Sequence, residues 1–501
     1  MKKLSKESKQ VSRRGFLGTA ATVAAGITIL PSNVIAGLGH KAPSDKLNIV
    51  GVGIGGMGFS NLKHLESENI IGLCDVDWKY AARVFNHYPK AKKYKDWRTM
   101  YDEMGNDFDA VVIATADHSH AISASHAITM GKHVYLQKPL THTVYESRLL
   151  TKLAAKYNVA TQMGNQGASG EGVNLTTEWI ANGEIGEITK VEAFTDRPIW
   201  PQGLNTPENG DWVPETLDWD LFTGPAKMRP YNKLYHPWNW RGWWDYGTGA
   251  LGDMACHILH PVFVGLELGY PTKAQGNSTL LLQDCAPTAQ SVKLTFPERK
   301  AKMKMKIKLP EVEVNWYDGG IRPMLPDGWP AGKNPNDSGG GVVFHGTKDK
   351  LVCGCYGVNP WLLSGRVPNA PKFRRRIANN MNGGHEMDWV RACKESPENR
   401  VKTASDFSEA GPFNEMVVMG VLAVRLQNLN KELEWSGEKM EFTNLTDDEK
   451  IRTVIKDGFK ITDGDPTFDK TWTDPVSAKE FASELIKHTY RKGWTLPDMP
   501  A

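Results

Sequence analysis

Residues 47–58 read LNIVGVGIGGMG, and this stretch decides the fold of the first part of the chain. Its apolar first half predicts a buried strand, and its second half predicts a turn that opens a helix. Gly53, Gly55 and Gly58 have the spacing of the dinucleotide-binding fingerprint, in which the glycines serve a tight turn, close approach to a pyrophosphate, and helix–strand packing. The alternative is a glycine-rich turn that binds no cofactor.

An acidic residue supports the fingerprint. Asp75 closes the second predicted strand, about 20 residues beyond the glycines, where a carboxylate accepts hydrogen bonds from the adenosine ribose and repels a 2′-phosphate. Gly56 and Met57 complete the loop, and the N-terminus of the following helix favours phosphate charge. We therefore expect NAD as the cofactor and consider NADP less favoured.

Short apolar runs alternate with amphipathic stretches up to residue 166. Strands that alternate with helices indicate a parallel sheet with right-handed crossovers, so we predict an α/β fold with a Rossmann domain over residues 45–166. Alternating strands after it predict a C-terminal α+β domain over residues 167–440 with a largely antiparallel open sheet. Residues 441–501 form a polar tail to which the sequence assigns no structure.

Particular elements of the second domain follow from local patterns. A serine N-cap, apolar periodicity and alternation predict helices over residues 169–182 and 249–266, strands over 188–195, 291–296 and 301–309, and a hairpin turning at 346–349. The strand over 301–309 would carry its lysines on one face. That face is either solvated or an interface between subunits.

Composition places the protein among ordinary globular proteins. The 501 residues are 40% hydrophobic and 23% charged, with a formal net charge of +3. These values exclude disordered, collagen-like and coiled-coil chains, and they give no indication of nucleic-acid binding. Six cysteines in so long a chain do not make a disulfide scaffold.

The first 36 residues have the organisation of an export signal. A basic segment precedes a mild apolar segment, and residues 12–17 between them read SRRGFL, which resembles the twin-arginine signal. Ala36 ends a small-residue cleavage site. The alternative is an uncleaved membrane anchor, although spanning needs roughly 20 strongly apolar residues. We expect a periplasmic protein that is exported folded and keeps no membrane span after signal removal.

Three further motifs follow the fingerprint in a specific order. They read DHSHA at residues 117–121, GKHVYLQKPL at 131–140 and GALGDMACH at 249–257. Together the motifs resemble the Gfo/Idh/MocA superfamily, which includes glucose–fructose oxidoreductase and inositol dehydrogenase, over roughly residues 47–430. Residues 164–166 and a Trp-rich segment further resemble its exported Bacteroidetes and planctomycete branch.

The resemblance implies a catalytic group. In the family, the lysine that corresponds to Lys138 lies beside the nicotinamide and a substrate hydroxyl, where a cation lowers the barrier to proton loss. The family's usual glutamate before it is Gln137 here, which removes a carboxylate. Asp253 and His257 share one side of a helix, and by analogy His257 takes the hydroxyl proton while Asp253 orients it or contacts the sugar. The alternatives are a surface lysine, a helix cap and a buried, hydrogen-bonded histidine.

The resemblance also implies residues along the cofactor. Asp117 and His120 match the family's Asn-x-x-His, with aspartate in place of asparagine. With Thr115, Gln137 and Lys138 they are expected to line the edge of the cofactor or substrate. Asp117 and His120 are equally explained as an N-cap and a hydrogen-bonded helix histidine.

Residues 197–247 form a Pro- and Trp-rich insert without any period. Its aromatic content argues against disorder, so it is either a functional segment or a core patch that pins a long loop. Aromatic faces stack on sugar rings, and arginines donate hydrogen bonds to hydroxyls. The substrate-binding candidates are Asn165, Arg197, Arg241, Trp243, Trp244 and Tyr246.

No metal site is expected. His118 with His120, and Cys353 with Cys355, have no neighbours in sequence that complete four ligands at zinc-like spacing. In the family the open sheet face packs against another subunit, so we expect a homo-oligomer.

The resemblance implies an NAD-dependent oxidoreductase that transfers a hydride between a sugar or glycoside carbinol and a tightly bound cofactor, loaded before export. A second hypothesis is redox-neutral glycoside cleavage through a 3-keto intermediate, with return of the hydride. A third is a non-catalytic sugar-binding envelope protein. Each takes a small sugar or glycoside as its partner.

Overall fold

A computed structural model describes residues 45–337, 339–369 and 382–501. The predicted export signal at residues 1–36 lies outside the described residues. Residues 47–501 form one unit by their contacts, and the account below concerns that unit. None of the described helices has both the length and the apolar character needed to cross a bilayer.

The N-terminal sheet is parallel, as the alternation of strands and helices predicts, and it contains six strands. The strands are β1 (Asn48–Val52), β2 (Asn69–Cys74), β3 (Lys92–Tyr94), β4 (Ala110–Ile113), β5 (His133–Leu136) and β6 (Thr161–Met163). They lie in the order β3-β2-β1-β4-β5-β6, which confirms the Rossmann fold. The helices are α1 (Met57–His64), α2 (Ala82–His87), α3 (Trp97–Met104), α4 (His120–Thr129) and α5 (Val144–Tyr157).

The second sheet has nine strands and is mixed. Its strands are β7 (Ile188–Thr195), β8 (Lys273–Ser278), β9 (Gln290–Phe296), β10 (Val312–Tyr317), β11 (Gly340–Gly346), β12 (Lys350–Gly354), β13 (Trp361–Leu362), β14 (Leu433–Ser436) and β15 (Glu441–Phe442). They lie in the order β13-β12-β11-β7-β10-β9-β8-β14-β15. The pair β7–β10 is parallel and the pairs on either side of it are antiparallel, which confirms the largely antiparallel sheet.

Seven helices and two small ribbons complete the described part of the chain. The helices are α6 (Glu171–Ala181), α7 (Trp219–Thr223), α8 (Gly249–Ile258), α9 (His260–Gly265), α10 (Gly384–Lys394), α11 (Phe407–Arg425) and α12 (Ala478–Ile486). One ribbon pairs β16 (Lys450–Ile451) with β19 (Val476–Ser477), and the other pairs β17 (Val454–Thr462) with β18 (Asp465–Trp472).

Two predicted helices differ in detail from the structure. Ser169 does not cap α6: it ends a short 3-10 turn, its hydroxyl lies 2.7 Å from Nδ1 of His385, and Gly170 occupies the N-cap. The helix predicted over 249–266 is two helices, because Pro261 lies in the first turn of α9 and lacks the N–H that a continuous helix would need.

The prediction of a lysine-bearing strand over residues 301–309 is wrong. The segment is irregular, and within the described residues its ladder contact is one isolated bridge between Arg299 and Leu309. Its alternation survives, because the lysines are exposed while Met305 and Ile307 pack on the core. An extended chain alternates its side chains even where no neighbouring strand pairs with it.

The polar tail is folded. Besides the hairpin β17–β18 and helix α12, it carries Trp494, whose ring lies 6.3 Å from that of Trp97 and stacks 4.2 Å from the Arg98 guanidinium. The end of the chain therefore packs on the Rossmann domain.

A buried ion pair joins the two domains. Arg148 on α5 donates two hydrogen bonds of 2.8 Å to Glu415 on α11, and a third to the Gly437 carbonyl. Burial raises the pKa of Glu415 even with this arginine beside it. The ionised form of Glu415 is therefore stabilised by Arg148.

We expect Arg148→Met to lower the free energy of unfolding by about 3 kcal/mol, because it leaves a buried charge without its partner. Urea denaturation measures the loss. Lys439→Met, which removes an exposed pair with Glu441, is the control and should cost less than about 0.5 kcal/mol. Equal effects of the two substitutions would contradict a stabilising role for the buried pair.

Candidate functional site

A cleft of about 430 Å³ opens where the carboxyl ends of β1, β4 and β5 meet the second domain. Ligands of doubly wound sheets bind at this edge. Both domains, the insert and the C-terminal segment contribute to its walls.

The glycine loop forms one wall. Gly53 has φ +72°, and a Cβ on Gly58 would lie 2.4 Å from the Gly53 carbonyl oxygen, so both positions require glycine. A Cβ on Gly55 would lie 2.2 Å from the ring of Tyr80, which covers the loop. Gly56 and Met57 also line the cleft.

Asp75 anchors the loop at the end of β2. Its carboxylate accepts hydrogen bonds from the backbone N–H groups of Gly55 and Asp77, both at 3.0 Å. Burial raises the pKa of Asp75 to about 6 despite these hydrogen bonds. The side chain thus lies beside the glycines, as the fingerprint predicts.

Lys138, Asp253 and Arg241 form the charged centre of the cleft. The Lys138 ammonium donates to Asp253 Oδ1 at 2.8 Å and to the Asp253 carbonyl at 3.1 Å. Arg241 Nε donates to the same Oδ1 at 3.1 Å. Burial alone would raise the pKa of Asp253, but Lys138 and Arg241 outweigh it and hold that pKa well below its usual value.

His257 follows Asp253 by one helical turn and also lines the cleft. Burial, and then the charge of Lys138, lower its pKa to about 3, so the ring is neutral. Within the described residues Nδ1 has no hydrogen-bond partner, and the carboxylate of Asp253 is engaged by Lys138 and Arg241 instead. A neutral histidine with an unused ring nitrogen can accept a hydrogen bond from a substrate hydroxyl.

Asp117 and His120 are structural rather than cleft-lining. Asp117 Oδ2 accepts hydrogen bonds from the backbone and hydroxyl of Thr248, at 3.1 and 2.7 Å, which fixes the turn before α8. The ring nitrogens of His120 lie 2.8 and 3.1 Å from the carbonyls of Pro139 and Thr115. His120 therefore fits the alternative of a hydrogen-bonded helix histidine. Asp117 is not the N-cap that the other alternative proposed, because Ala116 and Ser119 occupy the N-cap positions beside it.

Two other expected cofactor neighbours do line the cleft, namely Thr115 and Gln137. Gln137 donates to Asn61 at 2.9 Å, and Asn61 donates to Glu386 at 2.8 Å. The carboxylate of Glu386 is therefore connected through two hydrogen bonds to Gln137, the position at which the family carries its glutamate.

The substrate candidates divide into two groups. Arg197 and Arg241 line the cleft. Trp243, Trp244 and Tyr246 are buried and lie outside its walls, so the expectation that they contact substrate is corrected. Trp243 Nε1 donates to the Leu234 carbonyl at 2.7 Å, which shows how these side chains pin the insert. Asn165 is buried and likewise does not line the cleft.

The cleft is also lined by aromatic residues that the sequence either did not single out or placed only among the tryptophans of the insert. They are Tyr80, Trp200, His236, Trp238, Trp240, Tyr356 and Trp494. The tryptophans of the insert are conspicuous in the sequence, but the tertiary contacts of the insert decide which of them face the cleft. Tyr356 and Trp494 carry no local signal, because the fold brings them in from distant segments.

Within residues 45–337, 339–369 and 382–501 no three His, Cys, Asp or Glu side chains are arranged to hold a metal ion. Cys353 and Cys355 are buried, free thiols.

Two family models match the chain. Residues 46–165 match an oxidoreductase family, NAD-binding Rossmann fold, and residues 185–299 match an oxidoreductase family, C-terminal alpha/beta domain. Both models describe the Gfo/Idh/MocA family.

Curated relatives match in part. An alpha-N-acetylgalactosaminidase from Shewanella oneidensis is 26% identical over 228 residues, covering 40% of this chain and 50% of that protein. A levoglucosan dehydrogenase from Pseudarthrobacter phenanthrenivorans is 26% identical over 187 residues, covering 37% of this chain and 40% of that protein. The chain spans about half the length, or less, of these relatives.

Solved structures share the fold. The WlbA dehydrogenase from Chromobactrium violaceum, in complex with NADH and UDP-GlcNAcA, has a TM-score of 0.51 and 16% identity, covering 78% of this chain and 96% of that chain. A levoglucosan dehydrogenase in complex with NADH and levoglucosan has a TM-score of 0.51 and 17% identity, covering 78% of this chain and 99% of that chain.

The buried Asp117 predicts a pH dependence of stability. Burial raises its pKa to about 7, above the unfolded value of about 3.9. The folded state therefore keeps a proton that the unfolded chain releases, and stability is lost as the pH rises between these values. Asp117→Asn cannot ionise, so relative to the parent protein it should gain about 2 kcal/mol on going from pH 5 to pH 8.

Urea denaturation without nucleotide at the two pH values measures this gain. A difference between variant and parent that does not change with pH would show that Asp117 is ionised throughout. Asp102→Asn, on the exposed side of α3, is the matched control.

Proposed function

We propose that the protein transfers a hydride between a sugar or glycoside carbinol and NAD, on the premise that residues 46–165 and 185–299 match models of the Gfo/Idh/MocA oxidoreductase family. The observation that carries the proposal is the single cleft in which Lys138, Asp253 and a neutral His257 face the glycine loop. The named relatives, a dehydrogenase and a glycosidase of sugars, support a sugar as substrate.

The residues present fit a dinucleotide. A side chain at Gly53 or Gly58 would clash with the neighbouring backbone, so these two glycines keep the tight turn and the close helix–strand packing that a dinucleotide-binding loop requires. The Asp75 carboxylate lies at the loop, suited to accept hydrogen bonds from ribose hydroxyls. When bound, NAD supplies an acceptor for the carbinol hydride.

Side chains of the protein remove the proton of the substrate hydroxyl. The Lys138 ammonium, held by Asp253, stabilises negative charge that develops on the substrate oxygen. His257, kept neutral by burial and by Lys138, takes the hydroxyl proton. Asp253 positions Lys138. The family resemblance had instead suggested that Asp253 orients His257 or contacts the sugar.

A second candidate is redox-neutral glycoside cleavage. The similarity to an alpha-N-acetylgalactosaminidase favours it, since a sugar oxidised at C3 acidifies the C2 proton and permits elimination of the aglycone. The same lysine and histidine serve the oxidation step. Product analysis separates the two, because net oxidation yields a keto sugar with its linkage intact, whereas cleavage releases the aglycone.

We further propose export by the twin-arginine route to the periplasm, which rests on the sequence SRRGFL at residues 12–17. A tightly held cofactor would suit that compartment. Assembly into a homo-oligomer through the open sheet face is also a proposal, supported by the family resemblance.

Lys138→Met should lower kcat by about a thousandfold, because it removes the cation that stabilises the developing alkoxide. Reduction of bound nicotinamide by a panel of sugars and glycosides, followed by its near-ultraviolet absorbance, measures the effect. The control is Lys92→Met, an exposed lysine on the far strand of the sheet, which should retain full activity. Unchanged turnover in the Lys138 variant would refute the site assignment.

The affinity for NAD should depend on pH through Asp75. Its pKa of about 6 means that the carboxylate is protonated in acid and accepts ribose hydrogen bonds less well. We expect NAD binding to be about tenfold weaker at pH 5 than at pH 7, and the difference to disappear in Asp75→Asn. Calorimetric titration with NAD checks both, and an equal pH dependence in the variant would exclude Asp75 as its source.

A further inference from the structure

The cleft continues past the charged centre into an aromatic wall contributed by the insert. Ile199, Trp200, Trp238 and Trp240 line it. Ile199 is 76% exposed and Trp238 is 48% exposed. Single exposed apolar side chains are common on proteins, but exposed apolar side chains that border one cleft indicate a surface that a ligand covers.

Arg241 connects this wall to the charged centre. Its Nε donates to Asp253, which also binds Lys138, and its guanidinium lies 3.8 Å from the Trp238 ring and 4.3 Å from the Trp240 ring. The guanidinium covers part of the Trp238 indole, and the part that remains exposed borders the cleft. The side chain of Arg241 thus contacts both Trp238 and the charged centre formed by Lys138 and Asp253.

We propose that Trp238 is a stacking platform for a second ring of the substrate, beyond the sugar that reacts at Lys138. The inference rests on the proposed function and adds its substrate class: a glycoside with a ring-shaped aglycone or a second sugar, rather than a free monosaccharide. The apolar face of such a ring covers the indole, and its hydroxyls lie within the reach of an arginine-lined wall.

The charges of the wall favour a neutral second ring. Arg241 already pairs with Asp253, and Arg197 already donates to Asp196 at 2.7 Å. Neither guanidinium is left without a carboxylate, as a site built for a phosphorylated group would require. Trp200 donates its indole N–H to Gln202 at 2.9 Å, so it presents carbon atoms to the cleft.

The reacting sugar is unidentified, so the probes are matched methyl and phenyl glycosides of glucose, galactose and N-acetylgalactosamine in both anomers. Calorimetric titration of the NAD-loaded protein measures their binding. Wherever both members of a pair bind, we expect the phenyl glycoside to bind about tenfold more tightly, the gain that one ring stack provides. Trp238→Ala should abolish this ratio, and Trp238→Phe should retain part of it.

Trp212→Ala is the matched control. Trp212 belongs to the same insert, is 94% exposed and does not line the cleft, so its loss should leave the ratio unchanged. Trp238→Leu serves as a second variant, because it keeps an apolar side chain against Arg241 but offers no ring face. A merely structural role would weaken both glycosides equally and leave their ratio intact.

Reduction of the bound nicotinamide is followed in the same samples. A phenyl preference that survives in Trp238→Ala and Trp238→Leu overturns the stacking platform, whether or not the protein turns over. A preference that is lost in both variants supports the platform. If the preference is lost with Trp238 while no glycoside ever reduces the nicotinamide or is cleaved, the proposed function fails and the ring-binding site stands.

Discussion

One carboxylate oxygen holds the cleft together. Oδ1 of Asp253 on α8 accepts hydrogen bonds from Lys138, which follows β5, and from Arg241 in the insert. Burial makes a lone carboxylate costly, and two cations outweigh that cost. The Rossmann domain, the second domain and the insert therefore converge on one atom, which fixes the position of the lysine relative to the aromatic wall.

The same arrangement sets the protonation of the neighbouring histidine. His257 is buried and lies near the Lys138 charge, and both effects lower its pKa to about 3. The structure thus places the amino group of Lys138 beside a neutral histidine. In the proposed reaction, Lys138 stabilises charge on the substrate oxygen, and the uncharged ring of His257 accepts the hydrogen of the same hydroxyl. The hydrogen bond between Lys138 and Asp253 holds the lysine in this position beside His257.

Local patterns predicted the parts of this protein that depend on local chemistry. The glycine loop, Asp75 and the parallel sheet follow from patterns whose residues are close in sequence. The sequence could not divide the tryptophans between substrate and core, because indole burial depends on tertiary partners: Trp243 donates to Leu234 and lies in the buried aromatic cluster of the insert, whereas Trp238 lines the cleft. Trp494 could not be foreseen, since only the folded chain brings the tail to the Rossmann domain.

The contacts of the insert near Asp75 are consistent with the proposed tight binding of the cofactor. Just beyond Asp75, the backbone of Trp78 donates to Thr216 at 3.1 Å, and Asp218 donates to Val76 at 2.9 Å. Trp494 from the end of the chain borders the same cleft. Backbone hydrogen bonds and a packed indole must separate before a dinucleotide can leave past these segments. A barrier of this kind slows exchange without adding a contact to the nicotinamide, which supports the proposal that the cofactor is loaded once and held.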